Sequence, residues 1–231
     1  LVLDHADAPG EKIRISGGGR CNFTNLASAP DRFLSQNPRF AASALAGFRP
    51  AEFVALIDRA GIAWHEKTLG QLFCDGSARQ VIDMLLNRMR GAELRLNTGV
   101  EGVAAQDGGF VVTTSGGPVR AGRVVVATGG KSIPKMGATG IGYDIARAHG
   151  LAIIEPRAGL VPLTLSGRHQ ERLADLSGVA LPVEARCNGQ AFRNFMLLTH
   201  RGISGPAILQ ISSYWQPGDE LRLDLLPDHD A

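Results

Sequence analysis

The sequence is poor in the features that announce a metal site, a disulfide framework or a membrane segment. Its three cysteines, Cys21, Cys74 and Cys187, form no CxxC pair, and its six histidines contain no HExxH. Neither zinc nor a disulfide scaffold is indicated. No apolar run approaches the roughly 18 residues of a membrane span, and the start has no basic segment leading into an apolar one. Charge of one sign is missing too, since 24 basic residues are interspersed with 22 acidic ones for a net of +2. A field that weak argues against a nucleic-acid or anionic-membrane partner. Three unpaired thiols fit a reducing, cytoplasmic setting. An initiating methionine is also lacking: the chain opens mid-pattern at Leu1-Val2-Leu3 and closes on Leu225-Leu-Pro-Asp-His-Asp-Ala231, so both ends read as cut.

Glycine, by contrast, is abundant. There are 29 in 231 residues, against a usual share of about 7%, and many stand in clusters, where backbone can approach a ligand closely. Hydrophobic residues at 44% and charged residues at 20% describe a globular protein of one large domain, or one domain and part of a second.

Leu1 to Leu3 before Asp4 reads as the end of a buried strand with a carboxylate at its carboxyl end. Lys12-Ile-Arg-Ile-Ser16 alternates like a strand and runs into Gly17-Gly18-Gly19, after which Asn22, Thr24 and Asn25 give turn chemistry. Residues 37–61 read as two short helices. The second has Pro50 in its first turn, Phe53, Leu56, Ile57 and Ala60 on one face, and Gly61 as terminator. Ser77-Ala-Arg-Gln80 is a capping box opening a helix in which Val81, Leu85 and Met89 recur at i+4 and which Gly91 ends. Around it, strands are expected at 62–66, 71–74, 93–96, 109–114 and 119–127, with a hairpin turn at Ser115-Gly116-Gly117. Val124 to Ala127 is apolar throughout, as in a strand buried on both faces. A helix is expected at 139–149, closed by Gly150. Near Pro156 the composition shifts to short alternating strands at 160–165, 181–186 and 190–198. Ser204 then caps a last helix reaching about Trp215, and 220–225 resumes as a strand.

Two segments carry chemistry. In Ile15-Ser-Gly-Gly-Gly-Arg-Cys-Asn-Phe-Thr-Asn25, three adjacent residues without Cβ let a planar ring or a phosphate lie against main chain, with Arg20 as a fixed positive fork. A plain turn is the alternative, and the hydrogen-bonding neighbours favour ligand binding. Cys21 reads as a small packed residue rather than a redox thiol, because no partner cysteine is near in sequence. In Ala127-Thr-Gly-Gly-Lys-Ser-Ile-Pro-Lys-Met-Gly-Ala-Thr-Gly-Ile-Gly-Tyr143, the Gly130-Lys131-Ser132 triplet mimics a P-loop, but Val125 stands where that pattern needs glycine. What remains is a strand-to-helix loop whose amides, with Lys131 or Lys135, could face a dinucleotide's phosphates; equally, the lysines are simply solvated. Asp4 sits where a dinucleotide-binding βαβ unit places its ribose-binding carboxylate.

With Leu198-Thr-His-Arg-Gly-Ile-Ser-Gly-Pro-Ala-Ile-Leu209, these segments make the sequence resemble the BaiN-like NAD(P)/FAD-dependent oxidoreductases. Members of that bacterial flavoprotein family carry ISGGGRCN-T-N, ATGG-S-P-x-x-G-[SA]-T and TH-x-G-[IL]-SGPA. The resemblance spans essentially the whole chain and implies an α/β fold of the two-dinucleotide type. Residues 1–157 would be a Rossmann-like FAD-binding domain and residues 158–231 an inserted β-rich domain covering the flavin. Both would be incomplete, without the first GxGxxG turn and the C-terminal return segment. FAD would be touched by Asp4 at the ribose, by the loop Ser16, Gly17, Gly18, Gly19, Arg20, Cys21 and Asn22, by Val100 at the adenine, and by Thr128, Gly129 and Gly130.

A flavin carries out the electron transfer itself, so the sequence need contain no acid-base pair. His200 and Tyr143 are the side chains near the motifs with proton-transfer chemistry, and no catalytic role is assigned to either. The expected activity is flavin-mediated hydride transfer between NAD(P)H or an organic substrate and an organic acceptor or oxygen. The expected partner is a small molecule, with no nucleic acid and no membrane. A flavin- or nucleotide-binding protein without turnover is the alternative. A flavoprotein acting on tRNA is a remoter one, which the weak basic balance disfavours.

Overall fold

The apolar positions collect into two separate cores, one in each of the units into which the chain divides, Leu1–Ile154 and Glu155–Ala231. The computed structural model describes residues 1–228.

The first unit runs β1 (Val2–Leu3), α1 (Glu11–Ile15), β2 (Asn22–Asn25), α2 (Ala42–Gly47), α3 (Pro50–Arg59), β3 (Trp64–Glu66), β4 (Gln71–Cys74), α4 (Ala78–Arg88), β5 (Leu94–Arg95), β6 (Val100–Gln106), β7 (Gly109–Thr114), β8 (Val119–Ala121) and α5 (Ile141–Ala148). β1 and β5 pair in parallel, while β2-β4-β3 and β6-β7-β8 are antiparallel sheets of three. The mixture of helices with a parallel strand pair is α/β.

The capping box at Ser77 is present, its hydroxyl accepting from the Arg79 amide at 3.2 Å. It frees α4 to place Ala78, Val81 and Met84 against Ile57 of α3 and against Cys21 and Cys74, with Phe23, Phe53 and Trp64 packed round them. The periodicity that marked α3 and α4 is therefore the core of this unit.

Three stretches differ from expectation. Lys12 to Ser16 is helical, not extended: Gly10 turns in at φ 74°, and its missing Cβ, which would lie 2.8 Å from Ile82, lets α1 close on α4. Only Ile13 of the alternating pair packs on the core, and a Glu11–Arg14 contact at 3.0 Å spans one turn. Asn22 to Asn25 is a bulged strand rather than a turn, paired to β4. Val124 to Ala127 forms no strand, and Val125 is 87% exposed. Among the described residues no strand lies beside it, so its backbone has no ladder to join.

The second unit contains β9 (Leu163–Thr164), α6 (Arg168–Ala174), β10 (Ala180–Cys187), β11 (Gln190–Thr199), β12 (Gly202–Ser204), α7 (Pro206–Ser212) and β13 (Arg222–Asp224). Its sheet is antiparallel in the order β13-β10-β11-β12-β9. Val183, Ala185 and Cys187 alternate inward from β10 and meet Ala207, Ile208 and Ile211 of α7. Ser204 belongs to β12 and does not cap α7. That place falls to Gly205, at φ 92°, whose Cβ would strike Phe195 O at 2.7 Å.

Ile57 is fully buried, so Ile57→Ala is expected to lower unfolding stability by about 2–5 kcal/mol, read as a reduced urea midpoint.

Candidate functional site

The Ser16-to-Asn22 loop is built on left-handed backbone. Gly17, Gly18 and Gly19 have φ of 58°, 67° and 87°, and Cys21 follows at 54°. Four such residues in five reverse the chain from α1 into β2. The two exposed glycines of this run are there for different reasons. A Cβ at Gly17 would lie 2.6 Å from the Phe73 ring and 2.8 Å from the Asn22 amide, so packing excludes any side chain. At Gly18 no protein atom lies within 4 Å of a Cβ, and only the φ value and whatever approaches from outside constrain it.

The neighbouring polar groups divide in the same way. Ser16 donates to Ile13 O at 2.9 Å, and the Asn22 amide, turned to match its neighbours, donates to Leu72 O and Thr24 O. Both hold the loop's own shape. Arg20 gives its carbonyl to the Cys74 amide at 3.0 Å and leaves an exposed guanidinium with no partner among the described residues.

The second loop reaches the first through a residue the motifs do not contain. Lys12 Nζ donates to Ser132 Oγ at 3.1 Å and lies 4.0 Å from where a Gly129 Cβ would be. Thr128 fits against α5 because position 142 is glycine, with Oγ1 2.6 Å from the absent Cβ, and the Tyr143 hydroxyl borders Gly130. Lys131 Nζ lies 5.8 Å from the centre of the Tyr143 ring. No sequence signal separates Lys12 from any solvated lysine on a short helix.

Asp4 follows β1 at its carboxyl end, where Oδ1 accepts from the Ala6 amide at 3.0 Å and His5 Nδ1 is 3.6 Å away. Val100 opens β6, half-buried. A cleft of about 260 Å³ beside the first loop is lined by Lys12, Ser16, Cys21, Asn22, Phe23 and Phe53. That volume suits part of a dinucleotide rather than the whole. A larger groove of about 500 Å³ between α3 and α4 contains none of the glycine-loop residues.

Cys21 and Cys74 face the core of the first unit. Burial pushes the Cys74 thiol up to about 11, aided by Cys21 and Asp75; burial also raises Cys21, against a hydrogen bond from Ser16. Among the described residues no His, Cys, Asp and Glu cluster could hold a metal, and no helix is long and apolar enough to cross a membrane.

Gly17→Ala is expected to destabilise the protein well beyond the roughly 1 kcal/mol of left-handed strain that Gly18→Ala incurs, compared by thermal unfolding of the two variants. Both first-unit thiols should resist iodoacetamide at pH 8 until urea unfolds the chain. The folded protein holds the Cys74 proton more tightly than the unfolded chain does, so this contribution to stability is complete below the ordinary value of 9.0 and lost as pH rises through about 11. A native Cys74 that alkylates as fast as an unfolded one contradicts the assignment.

Comparison with known proteins gives the site its family. The ribosomal RNA dihydrouridine synthase of Escherichia coli (strain K12) is 52% identical over 233 residues, covering 100% of this chain and 58% of that protein. The enzyme of the same name from Haemophilus influenzae is 46% identical over 239 residues, covering 100% of this chain and 59% of its own length. The 3-dehydro-bile acid delta(4,6)-reductase of Clostridium scindens is 30% identical over 248 residues, with 100% and 59% covered. The chain thus spans a little under three fifths of the curated relatives it matches.

Two expectations are overturned by these relatives. Proteins 52% and 46% identical are named for an RNA, against the expected small-molecule substrate without nucleic acid and against hydride transfer to an organic acceptor or oxygen. They are also named as enzymes, against a binding protein without turnover. A net charge of +2 does not weigh against such a partner, because RNA can be recognised by local stacking and a few placed cations rather than by total charge. The reductase and the three ordered motifs point to one flavoprotein family. The model of the HI0933-like protein Rossmann domain matches residues 1–204, and the chain belongs to that family.

Proposed function

We propose that this chain is the flavin-holding part of a ribosomal RNA dihydrouridine synthase, which saturates the C5=C6 bond of a uracil in ribosomal RNA. The observation that carries the reading is the full-length match of this chain to two enzymes of that name, at 52% and 46% identity. The loop geometry supports it from the other side.

The residues fit a flavin dinucleotide. Gly18 opens on to free space, Arg20 offers an uncommitted cation, and Lys12 joins the two glycine loops so that their backbones can serve one ligand. In this reading FAD is held by Asp4 at the ribose, by Ser16 to Asn22 along the first loop, by Val100 at the adenine, and by Thr128, Gly129 and Gly130 from the second. Residues 1–157 form the cofactor domain, and 158–231 a separate β-rich domain. When bound and reduced by a nicotinamide dinucleotide, the flavin supplies the hydride. This chain's residues then have three tasks: to hold it flat against main chain, to seat the uracil beside it and to deliver a proton.

The test uses the full-length protein. As purified it should be yellow. With NADPH and ribosomal RNA lacking the modification, it should add two hydrogens to one uridine, detected by mass spectrometry of the digested RNA. Gly18→Val should keep the fold and lose the colour. Stoichiometric flavin retained in that variant would make the loop a plain turn, and unmodified RNA after incubation with reduced, flavin-loaded protein would sink the RNA reading.

A further inference from the structure

The β2-β4-β3 sheet carries a row of side chains that none of the sequence motifs contains. Phe73 of β4 is paired with Asn22 on one side and with His65 on the other. Residues two apart share a face, which adds Lys67 and Asp75 just beyond the strand ends. The contacts agree. The His65 ring lies nearly parallel to Phe73, centroids 6.3 Å apart at 19°; Lys67 Nζ stands 4.2 Å from the Phe73 centroid; and His65 Nδ1 is 2.6 Å from Asp75 Oδ1. Trp64 and Cys74, on the opposite face, pack into the core. Phe73 is also the ring against which Gly17 closes, so a single aromatic side chain joins this row to the first glycine loop.

We propose that His65 is the general acid of uracil reduction, with Asp75 as its positioning residue. This rests on the ribosomal RNA reading above. Saturating C5=C6 takes a hydride at one carbon and a proton at the other. The hydride arrives at C6 from the reduced flavin, and the π pair of C5=C6 takes the proton from Nε2 of the His65 imidazolium to form the C5–H bond. The flavin is oxidised by two electrons, the uracil is reduced by two, and neutral His65 regains its proton from water.

Several other groups near the loop are unsuited to the step. Cys21 and Cys74 are sealed in the core, Arg20 does not release a proton, and Lys12 is engaged with Ser132. The Tyr143 hydroxyl, carried by α5, lies against Gly130 of the second loop. His65 has 39% of its side chain exposed, and its Nε2 has no partner among the described residues. Its Nδ1–H donates to Asp75, which fixes the ring's orientation and leaves Nε2 as the outward nitrogen, the division of labour seen in other carboxylate-oriented histidines.

The experiment compares full-length wild type, His65→Gln, Asp75→Asn and Asp75→Glu, each loaded with FAD. Three quantities are read: affinity for an unmodified ribosomal RNA fragment, the rate at which NADPH bleaches the flavin, and the single-turnover rate at which RNA restores the flavin colour. His65→Gln should leave the first two within about twofold and slow the third by about 100-fold or more, with partial rescue by added imidazole. Asp75→Asn should slow the same step by a smaller factor, and Asp75→Glu should recover part of it. A His65→Gln protein that reoxidises at the wild-type rate overturns the assignment, as does one whose loss is matched by lost RNA affinity. Wild-type protein that binds FAD but forms no dihydrouridine overturns the RNA reading itself, a result distinct from either.

Discussion

The contact on which the first unit turns is the one between Gly17 and Phe73. A ring seated where a Cβ would otherwise stand pins the left-handed loop to the central strand of the β2-β4-β3 sheet. Everything beside it follows from that closure. With Phe73 held on the loop side, its strand neighbours Leu72 and Cys74 turn the other way, and Cys74 meets Cys21, Ile57 and Val81 in the core. A loop whose shape is dictated by packing on one flank and empty on the other is pre-organised for a ligand, because little ordering entropy remains to be lost on binding.

The second loop depends on the first through a polar link rather than a packed one. Lys12 to Ser132 is a single hydrogen bond at the surface, the kind of tie that costs little to break. The segment before that loop, Val124 to Ala127, has the composition of a central strand and none of its pairing. Val125 and Val126 are exposed because hydrophobic burial in a parallel sheet is cooperative: a strand buried on both faces needs neighbours on both edges before its side chains leave water.

Most helices were legible in the sequence, and their legibility had local causes. Ser77 with Gln80, Pro50 at a first turn, and the glycines after α3, α4 and α5 all act within a few residues of themselves. The failures share a different cause. Whether Lys12 to Ser16 is a strand or a helix is decided by Ile82, some 70 residues away, which requires glycine at position 10. Ser204 looks like a cap until β11 approaches so closely that Gly205 must take the turn. The candidate site divided along the same line. Its glycine clusters stand out by composition, whereas Lys12, Phe73, His65 and Asp75 are ordinary residues made notable only by strand register and a folded-back helix. The RNA named by the relatives had no counterpart in the whole-chain charge, which sums over all residues and carries no information about their arrangement.

The unlike surroundings of Gly17 and Gly18 imply unlike evolutionary histories for two adjacent, chemically identical residues. Position 17 is tied to the Phe73 ring and also to the backbone at Asn22, so a smaller residue at 73 does not by itself make room for a methyl group. Position 18 has no such internal partner. Under the proposed flavin reading its glycine answers to the cofactor, and a descendant that abandons the cofactor is free to lose Gly18 while keeping Gly17.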